Sequence, residues 1–293
     1  MNLEFTKMQA AGNDFILIDD REQRIADEKK ERIARVLCTR RFSVGADGVL
    51  FLCKPTSTST PTRSYDLRMR IFNADGSEAE MCGNGIRCFA RYAYEKGLVR
   101  NRQIRVETVA GLIVPEVEDP DEKGFGIGDV SIRVFMGKPV FERIDEPFFV
   151  NEQIGEVQLT SLSLGNPHAV ILVDSFDELD VDTVGKSIES HPAFPGRTNV
   201  DFVMTLQGDD KANELSVRTY ERGVGETLSC GTGSTASVLA LNELGYINAS
   251  EPVTVHTRGG DLRVELKEEG GEGGAYLIGS AEVVYEGEVD LAV

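Results

Sequence analysis

The 293-residue chain carries 31 Lys and Arg residues against 49 Asp and Glu residues, a formal net charge of −18, which argues against nucleic-acid binding because that function requires a basic surface. Its longest apolar runs, such as residues 169–173, are too short to cross a membrane, and residues 1–7 lack the features of a signal peptide. We therefore expect a cytoplasmic protein whose five cysteines stay reduced.

Short β-type runs recur along the first half of the chain and indicate a strand-rich α+β fold. They are residues 15–19, 49–53, 67–72 and 104–108. Two segments between them have the apolar spacing of a helix. The first is 26–40, with Ile33, Ala34, Leu37 and Cys38 on one face, and the second is 84–96, which Gly97 ends.

The second half repeats this order. Gly12-Asn13 resembles Gly165-Asn166, residues 45–50 match 199–204 through Asp47 and Asp201, the helix 84–96 matches 232–243, and residues 106–108 match 255–257. A repeat of this length indicates a duplicated domain. We expect a boundary between residues 124 and 141, with a first half at 1–134, completed by a C-terminal strand at 278–293, and a second half at 135–277.

The most informative repeat is a Cys-Gly-x-Gly quartet at the start of a helix in each half, at Cys82 and Cys230. At the offset between them, 148 residues (82 to 230), Arg70 meets Arg218 and Glu78 meets Glu226. A helix start binds anions and favours a thiolate. A lone copy fits a helix cap as well as a reactive cysteine. Two matched copies favour one active site in which two thiols work on opposite faces of a single carbon.

The remaining candidates carry weaker signals. Cys38, Cys53 and Cys88 lie in apolar patterns and are expected in the core, and the cysteines lack zinc-ligand spacing, so no metal site is expected. His168 follows Gly165-Asn166-Pro167 and fits a structural role as well as a functional one. Four asparagines fall in loops beside repeated motifs, where they serve either turns or a zwitterionic ligand: Asn13, Asn73, Asn166 and Asn199.

Residues 73–88 and 221–233 resemble the two signature segments of the diaminopimelate epimerase family. Residues 7–8, 12–15, 165–168 and 199–202 fit the same family in the same order. The resemblance implies two pseudo-symmetric halves, each a β-barrel-like sheet around a central helix, with the active site in the cleft between them. It also implies interconversion of LL- and meso-diaminopimelate in lysine biosynthesis, without pyridoxal phosphate or any other cofactor.

The resemblance further implies the roles of individual residues. Cys82 and Cys230 are the paired acid and base, with His168 and Glu221 supporting catalysis. Gly83-Asn84 and Gly231-Thr232 hold the carboxylate at the reacting carbon. Six side chains contact the substrate: Asn13, Asn73, Asn166, Asn199, Glu221 and Arg222. The chain departs from some members, which have Gln where this sequence has Gly48. The expected partners are the small-molecule substrate and a second copy of the chain in a homodimer.

Two alternatives remain open at this point. One is another racemase of the same superfamily, acting on proline or hydroxyproline; Arg222 and the long signatures favour diaminopimelate, whose distal carboxylate and amine need extra polar ligands. The other is a non-catalytic redox or ligand-binding protein whose cysteines form a switch disulfide. Exchange of solvent deuterium into the α-carbon of LL-diaminopimelate discriminates an epimerase from such a switch.

Overall fold

The computed structural model describes residues 1–56, 65–118, 130–206, 213–248, 250–269 and 272–291. The chain divides into two compact units. The first unit is Met1–Val134 with Gly279–Val293, and the second unit is Phe135–Ile278. The chain therefore returns to its first unit at the C-terminus, where strand β19 (Glu282–Asp290) pairs antiparallel with β1 (Asn2–Ala10). The last two residues of the strand expected at 278–293 lie outside the described residues.

The first unit is a mixed sheet crossed by two helices. Its further elements are β2 (Asn13–Asp19), α1 (Asp27–Cys38), β3 (Gly48–Cys53), β4 (Leu67–Asn73), β5 (Glu78–Ala79), α2 (Gly83–Glu95), β6 (Val106–Thr108), β7 (Gly111–Ile113) and β8 (Glu116–Glu118). Its strand order is β19-β1-β2-β3-β4-β6-β7, with β5 beside β4. The pairs β2–β3 and β4–β6 are parallel, so α1 and α2 are the connections that parallel neighbours require.

The second unit repeats this topology. Strand β9 (Ser131–Gly137), which pairs with β8, contains the boundary between the two units along the chain. The elements that follow are β10 (Val140–Asn151), β11 (Gly155–Ser163), β12 (Pro167–Leu172), α3 (Val181–Glu189), β13 (Asn199–Thr205), β14 (Glu214–Glu221), β15 (Gly225–Glu226), α4 (Gly231–Glu243), β16 (Val253–Thr257), β17 (Gly260–Glu269) and β18 (Glu272–Ser280). The parallel pairs β12–β13 and β14–β16 are connected by α3 and α4. The predicted duplication is confirmed.

Helices cover both faces of each sheet, which explains why all six residues of β3 are buried. Successive side chains of a strand point to opposite faces. Val49 and Phe51 accordingly cluster with Ile33 of α1, whereas Leu50 approaches Gly85 of α2. Helix α2 packs against β1–β4 and β19, and α4 packs against β11–β14 and β17. The predicted α+β class with a central helix in each half is confirmed, although strand pairing in the described residues forms open sheets rather than closed barrels.

The strand registers correct one predicted match between the halves. Phe15 pairs with Gly48 in the first unit, and His168 pairs with Asn199 in the second, which supports the match of Asn13 with Asn166. The same registers place Leu50, rather than Asp47, at the position of Asp201. The prediction was wrong by three residues because it aligned two identical letters, one before a strand and one within it.

Predicted elements lie close to the observed ones, with ends that differ by a few residues. The helix expected at 26–40 is α1, and the strand expected at 104–108 begins only at Val106. Cys38, Cys53 and Cys88 are buried, as predicted. No helix within the described ranges has the length and apolar character needed to cross a membrane.

Candidate functional site

Each quartet cysteine caps the helix that follows it. Cys82 precedes α2 in an extended backbone conformation, and its Sγ accepts a hydrogen bond from the Gly85 N–H at 3.4 Å. Cys230 precedes α4 in the same conformation, and its Sγ accepts from the Gly233 N–H at 3.4 Å. A helix start leaves N–H groups free and carries partial positive charge. The helix start, taken alone, therefore favours an anion at each sulfur.

In the first unit, Asn13 and Asn84 lie beside Cys82. The Asn13 Oδ1 is 3.9 Å from the Cys82 Sγ and 3.5 Å from the Asn84 Nδ2. The Asn13 Nδ2 donates to the Asp47 carboxylate at 2.7 Å, which turns the amide oxygen towards the thiol. Asp47 is in turn held by Arg40 at 2.8 Å. The sequence marked Asp47 only as a repeat residue, and its part in orienting Asn13 appears in the tertiary structure.

The second unit has a matching cluster. The Asn166 Nδ2 donates to the Thr232 Oγ1 at 3.1 Å, and that hydroxyl lies 3.4 Å from the Cys230 Sγ. Asn166 therefore occupies the place of Asn13, and Thr232 that of Asn84. Two predicted substrate ligands therefore lie beside the cysteine in each unit, brought there by contacts between residues that are distant in the sequence.

His168 belongs to a buried polar chain behind the Cys230 helix start. Its Nδ1 lies 2.7 Å from the Asp201 Oδ2, and the Asp201 Oδ1 accepts a hydrogen bond from the Thr219 Oγ1 at 2.7 Å. His168 and Asp201 are fully buried, and the His168 Nε2 has no hydrogen-bond partner among the residues that the structure describes. The predictions missed Thr219 and gave Asp201 no role, because a single Thr or Asp in a strand carries no signal until its neighbours are known.

Cys230 is disfavoured as a thiolate. Burial raises the pKa of its thiol well above the ordinary value, and the carboxylates of Glu221 and Asp201 raise it further; hydrogen bonds from Thr232 and Gly233 oppose them. Glu221 lies at the end of β14, where its Oε1 accepts from the Thr227 hydroxyl at 2.6 Å. Burial therefore outweighs the effect of the helix start at Cys230, and its thiol is protonated at neutral pH.

The other predicted ligands are held at strand ends. The Asn199 Nδ2 donates to the Pro167 carbonyl at 3.0 Å, and its Oδ1 accepts from the Arg222 N–H at 2.9 Å. The Arg222 guanidinium donates to the Gly196 carbonyl at 3.2 Å, and the Asn73 Nδ2 donates to the Ser77 hydroxyl at 3.0 Å. Asn199 and Arg222 thus form one polar group in the second unit, and Asn73 ends β4 in the first.

The glycines at the helix starts and Gly48 are explained by different features of the structure. Gly83 and Gly231 are the first residues of α2 and α4, so their N–H groups lie in the first turn, which has no intrahelical acceptor. A Cβ at Gly48 would lie 2.9 Å from the Phe72 carbonyl oxygen. A larger residue at this position would therefore require β3 to shift.

The chain is similar over almost its whole length to proteins named diaminopimelate epimerase. The family model for diaminopimelate epimerase matches residues 5–142 and 160–284. A relative with that name from Methanothermobacter thermautotrophicus is 44% identical over 294 residues, 97% of each chain. Another, from Methanocella arvoryzae, is 45% identical over 296 residues, 99% of this chain and 97% of the relative.

Solved structures share the fold at low identity. A PhzF-family phenazine biosynthesis protein of Bacillus anthracis aligns with a TM-score of 0.73 at 18% identity, covering 99% of this chain and 100% of that one. A hydroxyproline epimerase of Agrobacterium vitis aligns with a TM-score of 0.69 at 16% identity, covering 100% and 93%. The fold is common to these enzymes, and the sequence matches decide between them: the chain belongs to the diaminopimelate epimerase family.

Proposed function

We propose that this protein interconverts LL- and meso-2,6-diaminopimelate by a two-base mechanism that uses Cys82 and Cys230 and no cofactor. The observation that carries the proposal is the matched pair of helix starts, each with a cysteine as its cap and an asparagine beside it. Family membership supports the substrate, because the relatives that match over the whole chain are named for diaminopimelate.

The chemistry needs two groups of opposite protonation state. Inverting an α-carbon requires removal of its proton from one face and delivery of a proton to the other. A thiolate and a thiol perform these steps as general base and general acid. The raised pKa of Cys230 keeps this thiol protonated, so it serves as the general acid. When the reaction begins with Cys230 protonated, Cys82 is the general base.

The carbanion requires stabilisation, because an amino-acid α-proton is a very weak acid. The free N–H groups at Gly83-Asn84 and Gly231-Thr232 would bind the carboxylate attached to the reacting carbon. Negative charge that develops on this carboxylate in an enolate-like transition state would meet two preorganised helix starts. Electrostatic stabilisation of this kind is often the largest single contribution to catalysis.

Polar side chains outside the helix starts would bind the rest of the substrate. Arg222 presents a fork that matches a carboxylate, and we assign it the distal carboxylate. Asn13, Asn73, Asn166, Asn199 and Glu221 would bind the amines and the remaining oxygens. His168 and Glu221 would support the proton transfers from their places near the Cys230 helix start.

The test is deuterium exchange. In D₂O the wild type should incorporate solvent deuterium at the α-carbon of LL-diaminopimelate and form the meso isomer, as followed by NMR. Cys82→Ala and Cys230→Ala should each abolish epimerisation. Cys53→Ala, which removes a buried thiol at the end of β3, is the matched control and should retain it. Near-normal turnover by either site variant would contradict the two-base reading, and exchange into proline instead would contradict the substrate.

The proposal includes a cytosolic homodimer. The cytosol keeps the catalytic thiols reduced. Strand β19 supports a dimer because it lies at the edge of its sheet, where its free side can pair with a strand of a second chain. Three of its residues, Val283, Val284 and Tyr285, also expose apolar surface. Light scattering should give twice the chain mass of 32.1 kDa, and Val284→Lys should shift that mass towards the monomer.

A further inference from the structure

The helix start at Cys82 has a buried cation. Arg87 lies one turn into α2 and is fully buried. Its Nη1 donates to the Gly83 carbonyl at 3.2 Å and its Nε to the Ser280 carbonyl at 3.2 Å, while its Nη2 has no hydrogen-bond partner within the described part of the chain. Burial lowers the pKa of its guanidinium, and the thiols of Cys88 and Cys82 are the nearby groups whose negative charge would oppose that shift.

A buried guanidinium without a counter-anion is costly. Cys88 does not supply the anion, because burial raises the pKa of its thiol to about 12. Cys82 is less buried and lies at the helix start, where partial positive charge already favours an anion. Positive charge from Arg87 and from the start of α2 therefore acts on Cys82.

The helix start at Cys230 has the opposite character. The residue in the place of Arg87 is Thr235, whose hydroxyl donates to the Gly231 carbonyl at 2.9 Å, as Arg87 donates to Gly83. A Cβ at Gly233 would lie 2.2 Å from the Asp201 Oδ1, so a buried carboxyl group lies against the first turn of α4. At the equivalent Gly85 the nearest groups are methyls of Ile71 and Leu50, at 3.2 Å.

Other charged groups near Cys230 reinforce this difference or face away from it. Glu221 on β14 is a second acid, and His168 on β12 contacts Asp201. Glu156 on β11 is exposed. It lies near the start of that strand, whereas Leu162, which pairs with His168, lies near its end. The charged residues of β17 alternate with buried Leu262 and Val264 and so point to the other face: Asp261, Arg263, Glu265 and Lys267.

We propose that Arg87 and Asp201 are positioning residues that fix which cysteine holds the proton in the resting enzyme: Cys82 is the thiolate and Cys230 the thiol. The catalytic meaning of this assignment rests on the proposed function. The Cys82 thiolate takes the α-proton, and the electron pair of the broken C–H bond stays on the substrate as a carbanion. The S–H bond of Cys230 then breaks, and its proton forms the new C–H bond. Proton exchange with solvent restores the resting state.

The test measures each thiol without substrate. The protein is alkylated with iodoacetamide across a pH series, and peptide mass spectrometry gives the pH of half-maximal rate for Cys82 and for Cys230. In the wild type the midpoint of Cys82 should lie below that of Cys230. Arg87→Gln should raise the Cys82 midpoint by about one pH unit, a tenfold loss of rate at fixed pH, and Arg87→Lys should restore it. Asp201→Asn should lower the midpoint of Cys230 and leave that of Cys82 in place.

Two results would overturn the proposal: a wild type in which Cys230 ionises first, or folded Arg87→Gln and Asp201→Asn proteins with both midpoints unchanged. If circular dichroism shows that either variant is unfolded, Arg87→Met or Asp201→Ser takes its place, and the wild-type order stands as an independent test. Because alkylation needs no diaminopimelate, a protein with the expected order but no deuterium exchange would refute the proposed function alone.

Discussion

Replacing Gly233 by alanine tests the packing behind the Cys230 helix start. The new Cβ would lie 2.2 Å from the Asp201 Oδ1 and 2.9 Å from the Thr219 Oγ1, distances that real Cβ atoms do not tolerate. Asp201 is fully buried and is held by Thr219 and His168, so it moves only by losing hydrogen bonds. Gly85→Ala is the matched control, because there the nearest groups are movable methyls at 3.2 Å.

Three effects set the size of the change in the free energy of unfolding. Alanine in place of helical glycine stabilises by about 1 kcal/mol. Overpacking costs about 1–3 kcal/mol. Displacement of a hydrogen-bonded carboxylate costs a further 1.5–3 kcal/mol or so. Gly233→Ala should therefore lose about 1.5–5 kcal/mol, whereas Gly85→Ala should stay within about 1 kcal/mol of the wild type.

The measurement is urea unfolding at equilibrium, followed by circular dichroism because the chain has no Trp. The midpoint and the slope with denaturant are compared for the wild type and both variants. Equal losses in Gly233→Ala and Gly85→Ala, or a Gly233→Ala protein as stable as the wild type, would refute the inferred contact between Asp201 and the first turn of α4.

Three further predictions concern other parts of the molecule. Lys30→Met should lower the free energy of unfolding, measured in urea, by about 3–5 kcal/mol, because it removes the cation that forms an ion pair with buried Asp20 at 2.9 Å. Asp27→Asn should cost under about 1 kcal/mol, because the Asp27 side chain is 72% exposed. Burial lowers the pKa of His256, but hydrogen bonds to Asp261 and Glu214 outweigh this effect and raise the pKa above 6.5. The stability that His256 provides relative to the His256→Gln variant should therefore be fully present below pH 6.5 and fall as the pH rises through the raised pKa. A difference in stability that does not change with pH would contradict this prediction. Arg222→Lys keeps the charge and loses the fork, so KM for diaminopimelate should rise about 10- to 150-fold with little change in kcat, and an unchanged KM would remove Arg222 from the distal carboxylate.

The sequence by itself determined the features that depend on nearby residues. A cysteine before a glycine-rich helix start, the periods of α1 and α2 and the repeat of Gly12-Asn13 at Gly165-Asn166 are all local patterns. They follow from capping, helical spacing and turn chemistry, each of which acts over a few residues. The duplicated topology followed as well, because long signatures recur in the same order in both halves.

Only the tertiary structure decided which distant side chains meet. Strand register brings Asp201, Thr219 and His168 together from three strands, and it separates Asp47 from the position of Asp201 that matching letters had suggested. The sequence pattern predicts only that Arg87 lies in a helix. Its side chain is buried because the strands of the first unit pack against α2. Register depends on pairing along whole strands, and burial depends on what covers a face. Neither register nor burial can be predicted from the few residues around a given position. The difference in charge between the surroundings of Cys82 and Cys230 is therefore found only in the folded chain.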